Sequence, residues 1–212
     1  MRRFFLAFGS ALLLAGALVG AAEPVSAAST SAVSDPSGDV FFHGTPLPAP
    51  GYRDIVQAMV TSEDSSFTFV MDVAAPIPSN PALPPGIKQL TWHFVLNTNP
   101  ATAPKGYPFA PGNAAPAEYL VMLIWDGTAF TASLVDRTPL LTGGQAAVNP
   151  ISFSFSGDRS EVTLSASAAA IGGPSSFGWR ALTMDWAAPF GTSAFFEVDR
   201  APNAGFASWP EE

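Results

Sequence analysis

The 212-residue chain contains no cysteine, so disulfides, thiolate-zinc sites and thiol catalysis are excluded together. Charge is nearly as scarce: only 12% of residues carry it, and acidic residues outnumber basic ones 17 to 9. A few scattered basic residues on an acidic chain give no electrostatic footprint for nucleic acid or anionic lipid. There are two histidines, His43 and His93, and no Gly-x-Ser-x-Gly elbow, His-Glu-x-x-His pair or glycine-rich phosphate loop. The carboxylates Asp126, Asp136, Asp158 and Asp185 each stand at a hairpin turn or alone in a strand, where solvation or turn formation explains them better than paired acid-base work. The inventory therefore points away from catalysis. Long apolar runs are also missing, except for one at the N-terminus.

That exception is Met1-Arg2-Arg3 followed by an apolar stretch over residues 4–22 and small residues at Val25 and Ala27. A basic start, an apolar middle and a small-residue cleavage site are the three parts of a secretory signal peptide. Residues 1–27 are read as that leader, with the mature chain beginning between Ala22 and Ser29. No basic stop-transfer cluster follows, which argues against a permanent anchor. The remaining chain is expected outside the cell or on the exterior of the envelope, as a monomer.

What is plentiful is apolar and turn-forming. Hydrophobic residues reach 48%, with 17 Phe and 5 Trp, enough for a packed core despite 21 Pro and 18 Gly. Residues 28–34, small and polar, are expected to be a mobile linker. Alternation of period two then recurs. Val56, Ala58 and Val60 share one face, and after a Ser/Glu/Asp turn Phe67, Phe69, Met71 and Val73 share another, which predicts a hairpin. Residues 74–86 hold five prolines and no period, so they form a loop. Leu90, Trp92, Phe94 and Leu96 return to strand character, with Thr91, His93 and Val95 on the opposite face.

Residues 119–125 are apolar on both faces, as in a central strand covered on each side. Asp126-Gly127 predicts a type I′ hairpin into the strand that follows. Residues 151–155 and 161–167 form a second hairpin, residues 168–173 allow one helical turn, and strands over 179–186 and 194–198 complete the pattern. Eight or nine short strands with almost no helical period predict an antiparallel two-sheet β-sandwich, jelly-roll or immunoglobulin-like, over residues 35–205. Residues 206–212 are expected to be a C-terminal tail.

Against so little charge, the aspartates near strand mouths stand out. Asp35-Pro36-Ser37-Gly38-Asp39 places two carboxylates around a turn whose glycine can take a positive φ. Asp54 opens the first predicted strand and Asp199 closes the last. Oxygen-only ligands around a tight turn suit Ca²⁺. The same two residues, Asp35 and Asp39, would equally serve as simple Asx turns at a chain entry.

The Asp35–Asp39 turn, Asp54-Ile55, the strand ending Leu96-Asn97-Thr98-Asn99, the Asp126-Gly127 hairpin and the closing Asp199-Arg200-Ala201-Pro202 resemble the secreted DOMON-like β-sandwiches related to family 9 carbohydrate-binding modules. The resemblance spans most of residues 35–205. It implies a sandwich with an ion between the N-terminal aspartate turn and the C-terminal end, at Asp35, Asp39, Asp54 and Asp199. It also implies sugar binding or, in some relatives, haem binding.

A sugar site needs exposed aromatic planes with polar neighbours. Tyr107 and Trp209, both in predicted loops or tails, are the candidates for contact with a polysaccharide or envelope glycan. Trp125, Trp179 and Trp186 read as core. Haem, the competing cofactor, would draw on His43 or His93 with Met59, Met71 or Met122. His93, opposite Trp92 on its strand, reads instead as a half-exposed polar residue.

Overall fold

A computed structural model describes residues 28–40, 49–101, 117–188 and 195–211. The leader, His43 and Tyr107 lie outside these described residues.

Alternating apolar residues make strands, and the strands pair antiparallel throughout. One sheet is built from β1 (Ser29–Ser34), β2 (Ile55–Glu63), β3 (Ser66–Val73), β9 (Glu161–Ser167) and β8 (Ser152–Phe155), in the order β1-β2-β3-β9-β8. The other contains β4 (Gln89–Asn97), β5 (Tyr119–Trp125), β6 (Phe130–Asp136), β7 (Ala147–Pro150), β10 (Phe177–Trp186) and β11 (Phe195–Ala201), in the order β11-β10-β4-β5-β6-β7. A short strand, β12 (Ala207–Trp209), also pairs with β10. The two sheets pack face to face as a β-sandwich, as the alternation predicted.

The predicted inward residues meet between the sheets. Phe67, Phe69 and Met71 of β3 and Val162 and Leu164 of β9 pack with Trp92, Phe94 and Leu96 of β4 in one buried cluster. Burying one such side chain stabilises by about 1.5–3 kcal/mol, so this layer is the main source of stability.

The seven-stranded sheet is buried on its second face as well, where Val95, Leu120, Met122, Leu182, Met184 and Trp186 form a separate cluster. This fits the doubly apolar β5. It also corrects the reading of His93, which is fully buried on that face rather than half-exposed.

Three further expectations are corrected. Residues 29–34 are no linker: β1 pairs in register with β2, Ser31 with Val60 and Val33 with Ala58. Its polar, small sequence suits an edge strand half turned to water, a pattern too weak to read as apolar alternation. Nor is the C-terminus a free tail, since β12 pairs Phe177 with Trp209. Finally, the Asp126-Gly127 turn carries its positive φ (+93°) on Gly127, the first central residue between Asp126 and Ala129. That is the type II′ pattern rather than I′.

Candidate metal centre

The site lies where the entry of the chain meets its last long strand. Leaving β1, Asp35 still donates its backbone N–H to Val56 O. The chain then turns through Pro36-Ser37-Gly38, with Gly38 at φ +91°, where a β-carbon would be strained. The turn is held from below. Asp54 Oδ2 accepts the Gly38 N–H at 2.8 Å and the Ser37 hydroxyl at 3.1 Å.

Asp199 arrives from β11 through a break in register: Thr183 pairs with Asp199 but Met184 pairs with Glu197, leaving Val198 extra. A matching break leaves Val56 extra in β2. Such bulges re-aim side chains at strand rims. Asp199 Oδ2 accepts the Ile55 N–H at 2.6 Å and its Oδ1 accepts the Arg200 N–H at 2.8 Å, so one carboxylate ties β11 to β2.

Asp35, Asp39 and Asp199 each place an oxygen within 4.8 Å of the others. Asp35 Oδ2, Asp39 Oδ1 and Asp54 Oδ1 are buried and accept no hydrogen bond among the described residues. Asp54 lies outside the three-carboxylate group, and its other oxygen holds the turn. Three of the four predicted ligands thus converge, and the fourth buttresses them.

Sequence reasoning missed Asn203. Its amide nitrogen donates to Asp35 Oδ1 at 3.0 Å and to Asp39 Oδ2 at 2.7 Å. The only signal was its place four residues after Asp199 in a Pro-Asn-Ala-Gly turn.

Carboxylates crowded in this way resist ionisation. Burial, then the nearby Asp39 and Asp54, pushes the Asp35 carboxyl up to about 6. Burial pushes Asp199 up to about 7, with the Asp35 and Asp39 charges adding to it against the opposing backbone hydrogen bonds. A cation held between these carboxylates would favour their charged forms and so oppose both shifts. The donor set is all oxygen, partly buried and drawn from two distant chain segments, the Asp35–Asp39 turn and β11, which fits a hard cation such as Ca²⁺.

The predicted sugar platform is only partly present. Trp209 is 7% exposed, its indole N–H donates to Ser29 O at 3.2 Å, and its ring stacks on Phe177 with centroids 5.1 Å apart. It is therefore a packed residue rather than a free plane. Together with Phe177 it borders a depression of about 330 Å³ that also includes Asn97, Thr98, Ser176 and Ser208.

The haem candidates gain nothing from the geometry. His93 and Met122 are direct cross-strand partners, and Thr91 Oγ1 lies 3.2 Å from His93 Nδ1. Side chains rising side by side from one sheet face do not approach one iron from opposite sides. Met71 is fully buried between the sheets.

No protein-family model matches the chain, and no curated protein matches it significantly. Among the described residues no helix is long and apolar enough to cross a membrane.

Proposed function

We propose that the protein is a secreted, non-catalytic binding module whose β-sandwich is clipped by a structural Ca²⁺ at Asp35, Asp39 and Asp199. The observation that carries this reading is the pair of buried oxygens, Asp35 Oδ2 and Asp39 Oδ1, that accept no hydrogen bond among the described residues and lie inside a three-carboxylate cluster. A buried carboxylate oxygen without a donor costs about 1–3 kcal/mol, and a bound cation relieves that cost. Asn203, which lies against two of the carboxylates, would offer its carbonyl oxygen to the ion after a half-turn of its amide. Asp54 would keep the turn in shape. Chain entry and final long strand are then joined through one ion, in a protein that has no disulfide to join them.

Titration calorimetry with Ca²⁺ tests the clip. One ion per chain is expected for the wild type and none for Asp39→Ala. An absence of heat, with equal melting temperatures in EDTA and in excess Ca²⁺, would reduce these aspartates to turn residues. Export is tested separately by N-terminal sequencing of secreted material, where a retained Met1 would argue for an anchor.

For the ligand, carbohydrate is the reading supported by the polar depression beside Trp209. Hydroxyls and amides from Asn97, Thr98, Ser176 and Ser208 around an aromatic edge match the mixed chemistry of a sugar. A glycan array read with the wild type and with Ser208→Trp, which would fill the depression, tests it. No hits for the wild type at roughly millimolar protein, the range of weak binding, would remove the carbohydrate claim.

A further inference from the structure

The chain between β6 and β9 changes sheets in mid-strand. β7 pairs with β6, Ile151 N–H still reaches Ala132 O of β6, and β8 then pairs with β9 in the other sheet. Residues 138–157, which include this crossing, carry no charge in a chain of net charge −8. Four of the five exposed large apolar side chains among the described residues, Leu140, Leu141, Val148 and Phe153, fall within that stretch.

The outer side of β8 is open. Ser156 N–H donates to Glu161 O, and alternation along an antiparallel ladder then turns the backbone groups of Ser154 and Ser152 toward β9. Phe153 and Phe155 therefore point their N–H and C=O groups the other way. The far side of β9 agrees: Ala168 N–H donates to Ser65 O, so Leu164 and Val162, which stand opposite the two Phe, bond to β3 instead. No other hydrogen bond among the described residues takes up the outward groups of Phe153 and Phe155. Ser152, Phe153 and Ser154 are all exposed.

The other ends of the two sheets are each defended against pairing. β1 runs into the acidic Asp35–Asp39 turn, so two copies meeting there would crowd carboxylates together. β11 carries Glu197, Asp199 and Arg200 and is bulged. Of the residues that β7 turns outward, Val148 and Pro150, the second has no N–H to give. β8 alone has no such defence.

Backbone donors and acceptors on an edge call for another strand, and the composition selects which. Copies of an acidic chain repel one another except where charge is absent, and an antiparallel edge is complementary to itself about a two-fold axis. We propose that β8 pairs with β8 of a second copy, the axis passing beside Ser154. Phe153 of each copy then bonds to Phe155 of the other, and the two five-stranded sheets become one. The Phe153 ring is 37% exposed and rests edge-on against Phe155 of its own strand, with centroids 5.8 Å apart. Pairing sets the Phe155 ring of the other copy beside it on the same sheet face. An edge of four residues is short, which puts the dimer at the weak end of protein interfaces. The proposal replaces the monomer expected from the sequence and does not depend on the calcium or carbohydrate readings.

Sedimentation of the purified protein from about 10 μM to about 1 mM, the range of weak association, should show a monomer–dimer equilibrium. Ser154→Lys sets two ammonium groups against each other at the axis and should weaken the dimer at least about tenfold. Because Ser154 is exposed, its melting temperature should stay near that of the wild type. Mixing Ser154→Lys with Ser154→Glu should restore a dimer of unlike copies. The absence of cysteine adds a test of register: two residues facing across the axis stand about 4.5 Å apart at Cα, within disulfide reach. Ser154→Cys should therefore oxidise to a covalent dimer faster than Ser152→Cys, which faces Ser156 of the other copy. A wild type that stays monomeric throughout would overturn the proposal and leave this edge to a strand of another protein. Association undiminished in Ser154→Lys, or lost in Val148→Lys instead, would place the contact elsewhere. Equal cross-linking at positions 152 and 154 would overturn the two-fold pairing.

Discussion

Aspartates in two regions of this molecule sit in opposite surroundings. At the hairpin turns, Asp126 Oδ1 accepts from Thr128 N, Thr128 Oγ1 and Ala129 N at 2.7–2.9 Å, and Asp158 Oδ1 accepts from Ser156 Oγ, Ser160 N and Ser160 Oγ. Both are exposed, and the hydroxyl and amide donors hold their carboxyls below the usual range, Asp158 down to about 2. In the seam between β1, β2 and β11, Asp35 and Asp199 are pushed the other way, to about 6 and about 7. One residue type is thus exposed and well supplied with donors in the turns, but buried and crowded by like charge in the seam. Donors that arrive from neighbouring residues in the chain make a turn; carboxylates that arrive from distant segments make a site for a cation.

Four experiments would sharpen or break this contrast. The largest effect is expected for Asp199→Ala, which leaves the Ile55 and Arg200 N–H groups without their acceptor and cuts the tie between β2 and β11. It should destabilise by about 3 kcal/mol in urea unfolding and remove the calcium response. A smaller loss, with the response intact, would show that Asp199 is not part of the cation site.

Next comes the ion itself. At about 100 times its dissociation constant, an ion bound only by the folded state stabilises by about 2.7 kcal/mol, visible as a higher melting temperature than in EDTA. The contrast also has a pH signature. In EDTA the folded carboxyls of Asp35 and Asp199 hold protons that the unfolded chain has already released, so native stability should decline as pH rises from about 4 through about 7. Saturating Ca²⁺ should reverse that slope, because the ion replaces the protons. A melting temperature in EDTA that rises steadily over this range would contradict the crowding argument.

Asn203→Ala should cost about 1 kcal/mol in EDTA, or roughly 2–4 °C in melting temperature, by removing one bridging amide. Its calcium affinity should also fall, since a candidate ligand has gone. The smallest effect is expected for Asp158→Ala. It should leave the calcium shift unchanged and alter stability least of the four, because its carboxylate is fully exposed and serves only its own turn.

The chain by itself determined the class of fold and the location of the charge. Period-two alternation in β2, β3, β4 and β9 marks strands because every second side chain must leave water, and that demand is written locally. The same holds for β5, whose two apolar faces announced a doubly covered sheet, and for the Asp35–Asp39 turn, where glycine and proline state the geometry. Where the pattern is polar or brief, nothing local speaks: β1 and β12 are strands because β2 and β10 offer them backbone partners. Trp209 likewise looked free until Phe67 and Phe177 enclosed it.

Only the tertiary structure decided which aspartates meet. Asp35 and Asp199 lie at opposite ends of the chain, and the bulges at Val56 and Val198 that aim the seam arise from pairing, not from composition. The Arg53–Asp185 pair is of the same kind, 132 residues apart and invisible in either segment alone. Spacing along a sequence reports neighbours within a turn or a strand. Convergence of distant charges depends on sheet order, which the summed packing of the core selects.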